Sequence, residues 1–130
     1  MSKQQLWGGR FKKTLDESAK DFSYSIDFDK VLLPYDVMVN KAHVLALEKA
    51  GVISTKDRQK IHKSLEHILD QAEDIMSQDH PDEDIHSLVE RLVIEDIGDL
   101  GKTMHTGKSR NDQVATDVRL YLKDEIAIIN

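Results

Sequence analysis

Apolar residues recur along this chain at the three-and-four spacing of helices, and no segment alternates as a strand would. From Asp29 onward, Val31, Tyr35, Met38, Ala42, Leu45 and Ala46 predict the face of a first long helix, with Pro34 in or near its first turn and Gly51 as its C-terminal cap. A second helix begins at Ser54 or Thr55, where Ser54 and Asp57 have capping-box spacing with Asp in place of the usual Glu. Its stripe is Ile61, Leu65, Ile68, Ala72 and Ile75, widened by Leu69 and Met76. The polar break SQDHPDED then leads into a third helix near residues 82 to 84, whose acids suit a helix N-terminus. Ile85, Leu88, Val89, Leu92, Val93 and Asp96 or Ile97 carry it to Gly98. Val114, Val118, Tyr121, Leu122, Ile126 and Ile129 mark a fourth helix, and IAIIN lacks a stop signal, so the expectation is the start of a longer helix. Before residue 29 no period holds, which predicts an irregular arm with a short helix around residues 15 to 22. The class is all-α: an arm, then about four helices.

Composition narrows the functional classes. With 130 residues and 39% hydrophobic content, the chain suits one domain with a real core. Its 24 acids against 18 bases leave a net charge of -6, which is no field for phosphate backbones or anionic membranes, so nucleic acid is not expected as a partner. There is no cysteine, hence no disulfide, thiolate zinc site or cysteine nucleophile. No window approaches the about 20 apolar residues of a membrane span, and the N-terminus MSKQQLWGG has no apolar run, so a cytoplasmic protein is expected.

Against that acidic background, HTGKSRNDQ at residues 105 to 113 gathers His105, Lys108 and Arg110. Ser109 and Asp112 again have capping-box spacing, so the loop delivers Ser109, Arg110 and Asn111 to a helix N-terminus, where free N–H groups and the dipole favour an anion. Gly107 lets backbone approach a ligand, and Arg110 can grip a carboxylate with two parallel bonds. The physics supports a carboxylate or phosphate site. An ordinary capped helix behind a solvated basic loop accounts for the same residues, as does a small helical anion-binding module.

A second constellation, EDIHS at 83 to 87, places Asp84 and His86 two apart, roughly 200° around a regular helix, so they can pair only if the first turn is distorted. His86 could carry a proton or donate to an anion. It could equally be a first-turn residue facing water. His43, His62, His67 and His80 read as surface or helix-flank residues, and no metal site or cofactor is expected. In FSYSIDFD at 22 to 29, Ser25 could be a cap, a turn residue or a ligand contact, and Asp29 fits the helix start better. Trp7 and Phe11 of LWGGRF read as packed rings.

LWGGRF at 6 to 11, FSYSIDFD at 22 to 29, LEKAG at 47 to 51, DEDIHSLVE at 82 to 90 and HTGKSRNDQVATD at 105 to 117 together resemble the N-terminal portion of the argininosuccinate lyases, in the fumarase and aspartase superfamily. The eye-lens delta crystallins belong to the same lineage, so a non-catalytic relative shares the pattern. The resemblance implies a reversible β-elimination that splits argininosuccinate into arginine and fumarate, through an aci-carboxylate whose extra charge pre-aimed donors stabilise. By this resemblance Ser25, Thr106, Ser109, Arg110 and Asn111 are substrate-binding, and His86, supported by Asp84, assists catalysis. The family's base, a serine in a mobile glycine-rich loop, and its threonine-histidine pair are not in this sequence, which contains no GSSxMPxKxN-like stretch. The resemblance further implies a homotetramer with a core of long helices. Residues 1–109 would form the N-terminal helical domain and 110–130 the start of the central bundle, and the chain alone would be inactive.

Overall fold

The computed structural model describes residues 22–129, and the expected helix around residues 15 to 22 lies almost wholly outside them. The described chain is helical throughout its regular structure, without a strand. A short helix α1 (Ile26–Asp29) runs through a 3-10 turn (Lys30–Leu32) into the long helix α2 (Leu33–Lys49). Helices α3 (Thr55–Asp70) and α4 (Ala72–Ser77) follow, then α5 (Ile85–Ile97), a 3-10 segment (Gly98–His105) and α6 (Arg110–Ile129).

Local chemistry explains most of these boundaries. Pro34 occupies the first turn of α2, where its missing N–H breaks no bond. At the other end, the Gly51 amide reaches Glu48 and the Val52 amide reaches Leu47, both at 2.9 Å, while Gly51 adopts φ +74. This is the paired-bond stop that glycine permits without a Cβ clash. Ser54 accepts the Asp57 amide at 3.1 Å as N-cap of α3. Its hydroxyl also donates to the Asp57 carboxylate at 2.7 Å, in place of the reciprocal backbone bond of a full capping box. Asp84 caps α5 by accepting the Ser87 amide at 2.6 Å.

The expected single second helix is two. At Gln71 (φ -102, ψ 12) the amide is shared between the carbonyls of His67 and Ile68, and the axis breaks. The apolar stripe continues across the break, with Ala72 buried and Ile75 and Met76 half-buried, so periodicity does not reveal it.

The core lies where α2, α3 and α5 meet, filled by Leu33, Val37 and Val44 of α2, Ile61 and Leu65 of α3, and Ile85, Leu88, Val89 and Val93 of α5. Each such side chain contributes about 1.5–3 kcal/mol relative to an exposed one. The stripes expected on α3 and α5 are the buried ones, except that Leu69 is exposed. The face expected on α2 is not: Val31, Met38, Ala42, Leu45 and Ala46 are exposed, and the buried face is Leu33, Asp36, Val37, Asn40, Val44 and Leu47. Similarly, α6 buries Gln113 and Asp117, leaving Val118, Leu122, Ile126 and Ile129 exposed. In α2 polar residues share the inward face and in α6 they take it, because they pair between the helices and with His86. Helix α6 is held to α2 by an edge-on contact of Tyr35 and Tyr121, centroids 5.9 Å apart, and by the Tyr35 hydroxyl donating to Asp124 at 3.1 Å.

Three of the histidines read as surface or helix-flank residues bond backbone carbonyls. His62 bonds the Lys41 carbonyl at 3.0 Å, His80 the Ile75 carbonyl at 2.7 Å, and His43 the Thr106 carbonyl at 2.8 Å.

Candidate functional site at the start of helices α5 and α6

The first turn of α5 is where the sequence-selected residues converge. Asp29 is not the N-cap of α2; one carboxylate oxygen accepts the Ile85 amide at 3.0 Å and the other accepts the Ser25 hydroxyl at 2.5 Å. Asp29 is available for this because the chain is already helical from Ile26, with Ser25 at the N-cap position. The Ser25 amide meanwhile donates to the Glu83 carbonyl at 2.9 Å. Ser25 is therefore fixed against the α5 start by both its backbone and its side chain. Burial pushes the Asp29 carboxyl up, against the Ser25 and Ile85 bonds.

Helix α6 arrives beside the same turn. Ser109 caps it, accepting the Asn111 amide at 3.2 Å. Arg110 lies 3.4 Å from the Ser87 hydroxyl, 3.4 Å from the Gln113 amide oxygen and 3.7 Å from the Glu90 carboxylate. These are long contacts for a group with five N–H donors, so the guanidinium is aimed yet keeps capacity for a two-pronged grip on a carboxylate. Ser25, Asp84, His86 and Arg110 thus share one neighbourhood. Thr106, Ser109 and Asn111 stay exposed on the approach to α6, and their side chains do not join that hydrogen-bond chain.

Behind this turn sits a polar cluster that motif reading missed. His86 is 2% exposed. Its Nδ1 lies 2.8 Å from Asp36 of α2 and 3.3 Å from Asp117 of α6, both carboxylates fully buried. Asp36 also accepts from Asn40 at 2.9 Å and from the Gln113 amide, and Asn40 in turn accepts from Lys108. The Asp117 oxygens find no hydrogen-bond donor of good geometry, which leaves the imidazole as their nearest charge partner among the described residues. The one sequence signal for the cluster is a pair of polar residues four apart inside each apolar helix, Asp36 with Asn40 and Gln113 with Asp117. Nothing in the local spacing says that the pairs meet.

Charge follows from burial and pairing. Desolvation alone would lower the His86 pKa, but Asp117 and Asp36 outweigh it and push it up to about 9. Asp36 is held below the usual carboxylate range, because bonds to His86 and Gln113 overcome its burial. Burial and repulsion from Asp36 push Asp117 up to about 6, against the pull of His86. Burial also lowers the Lys108 ammonium, and Arg110 adds to this. Asp84 raises His86 only through space, because its carboxylate is engaged as the α5 cap.

Asp36, His86 and Asp117 each offer one ligand atom within 4.8 Å of the others, a donor set that separate helices assemble. Both Asp36 oxygens are already engaged by His86, Asn40 and Gln113, so the arrangement suits a protonated imidazole better than a metal ion. A shallow depression of about 230 Å³ lies alongside, lined by Val39, His43, Lys108 and Thr116 among others. No helix among the described residues is long and apolar enough to cross a membrane.

Comparison with known proteins identifies the family. Residues 9–130 match the family model described as Lyase. The chain is 55% identical over 122 residues to the argininosuccinate lyase of Caldanaerobacter subterraneus subsp. tengcongensis, covering 94% of this chain and 27% of that protein. It is 51% identical to the argininosuccinate lyase of Thermoanaerobacter sp. strain X514 with the same coverage. It is 44% identical over 128 residues to that of Legionella pneumophila strain Philadelphia 1, covering 97% of this chain and 31% of the relative. The chain therefore spans between a quarter and a third of the length of these relatives, and corresponds to their N-terminal portion. It belongs to the lyase family.

Proposed function

We propose that the protein of which these residues form the N-terminal portion is an argininosuccinate lyase, cleaving argininosuccinate reversibly to arginine and fumarate by β-elimination. The observation that carries this reading is identity of 44–55% to relatives bearing that name, over at least 94% of this chain. Abstraction of a proton next to a carboxylate builds extra negative charge on that carboxylate, and fixed donors aimed at it lower the barrier. Arg110, the amide-bearing Asn111 and the α6 N-terminus are donors of this kind, and Ser25 and Thr106 bind alongside them. His86 assists, and the groups that move the proton come from residues outside this sequence. In this reading residues 110–130 begin the central helical bundle of a cytoplasmic homotetramer serving arginine biosynthesis, and the N-terminal 109 residues pack beside it.

The test is steady-state kinetics of the full-length protein, following fumarate release by its ultraviolet absorbance. Removing one oxyanion-type donor costs about 10²–10³ in kcat. Asn111→Ala and Arg110→Ala should each lower turnover on that order while circular dichroism stays unchanged. Full turnover in both variants would remove the assignment of this loop to the carboxylate.

A further inference from the structure

Two buried carboxylates around one histidine have a consequence beyond substrate binding. We infer that Asp36 and Asp117 are positioning residues that hold the His86 ring doubly protonated, with its Nδ1–H facing both carboxylates. The geometry supports this in three ways. First, Nδ1 bonds Asp36 at 2.8 Å and lies 3.3 Å from Asp117, so a single N–H faces carboxylates on two different helices. Second, Asp36 is anchored by Asn40 and Gln113, which fixes the ring's orientation from α2 and α6 at once. Third, Asp117 finds no hydrogen-bond donor of good geometry; with a neutral ring, the two desolvated carboxylates would face each other without a cation between them unless one of them took up the proton.

The wider surroundings favour the same state. Asp84 at the head of α5 adds negative potential at His86, and Asp29 in the preceding arm also interacts with its charge. The nearby cations are Lys108, which reaches the cluster through Asn40, and Arg110, which bonds Ser87 rather than the ring's carboxylates. Direct contacts to the imidazole are anionic. Held as a cation, His86 cannot abstract a proton; it can only donate to, or balance, negative charge. Its use on the charge that develops at a substrate carboxylate rests on the lyase reading, whereas the clamp itself does not.

Nitrogen-15 NMR of histidine-labelled protein reads the clamp directly. Both His86 ring nitrogens should show protonated shifts through pH 8, with titration near the value of about 9. Asp117→Asn and Asp36→Asn should each lower that titration by roughly one unit or more, about a tenfold loss of proton affinity, whereas Asp70→Asn on the exposed side of α3 should not move it. A wild-type ring already neutral at pH 7.5 would overturn the proposal even if neither variant folds. So would two folded variants with unmoved titrations, or a zinc titration in which the metal displaces the ring proton at micromolar concentration. In the full-length protein the alkaline limb of the kcat/KM profile should shift down with Asp117→Asn. Absence of lyase activity alongside an intact titration would sink the lyase reading and leave the clamp standing.

Discussion

Gly101→Ala probes how closely the loop carrying Thr106 to Asn111 must be led back past α5. Gly101 is buried in the 3-10 segment, and a Cβ there would lie 3.0 Å from both Cα and N of Ile94 and 3.1 Å from its Cγ1, where ordinary contact begins at 3.4 Å. Two of those three atoms are main chain inside α5, fixed by its hydrogen-bond ladder, so no rotamer change relieves the clash. Overpacking of this kind costs about 1–3 kcal/mol. Against it stands the stiffer unfolded chain that Gly→Ala produces, about 0.4–1 kcal/mol in favour of the folded state. The clash wins by about 1–2 kcal/mol, a fall in Tm of roughly 4–8 °C for a domain of this size. Urea and thermal denaturation followed by circular dichroism measure it. Gly51 is the control, because its φ of +74 lies in open space with nothing within 4 Å. There Asn, which tolerates the left-handed region, should recover most of what Ala loses, whereas at Gly101 Asn should be worse than Ala. A Gly101→Ala variant as stable as its parent would refute the close-approach argument.

Two further outcomes are expected. The His86 pKa is raised from 6.5 to about 9 on folding, so its contribution is complete below about pH 6.5 and is lost as pH rises through 9. The loss is roughly 3 kcal/mol, opposite in sense to Asp36, whose contribution disappears only on acidification. Urea midpoints at constant ionic strength should fall steadily from pH 6.5 to 9.5, and a flat profile would contradict the buried ion cluster. Because Asp84 acts as a cap, Asp84→Ala should cost about 1 kcal/mol in the same assay and Asp84→Asn almost nothing. Equal losses from both would mean that its charge, not its capping geometry, matters.

The fold was legible where apolar spacing and capping chemistry agreed. Ile61, Leu65 and Ile68 on α3, Ile85, Leu88 and Val93 on α5, the Ser54 cap and the Gly51 stop all follow from local pattern. It was illegible where polar residues share or take over the inward face. Asp36 and Asn40 on α2, and Gln113 and Asp117 on α6, sit where apolar residues would mark a core, while Met38 and Ile126 mark the faces left open. A periodicity argument assigns such helices the wrong side, because it assumes that burial requires apolarity and cannot see a partner on another helix. The candidate site divides the same way. Arg110 beside a helix N-terminus was readable from HTGKSRNDQ. The ion cluster behind His86 depends on three helices meeting, which no short motif encodes.

The bond from the Ile85 amide to Asp29 makes the start of α5 conditional on a segment far earlier in the chain. An N-terminal amide of a helix would ordinarily exchange with solvent within the fraying of its own first turn. Here its protection is set by whether the residues from Ser25 to Asp29 are docked, so the exchange rate of one backbone proton becomes a gauge of how often that short segment lifts away. Anything that seats against Ser25 would register as slower exchange at a position it never touches.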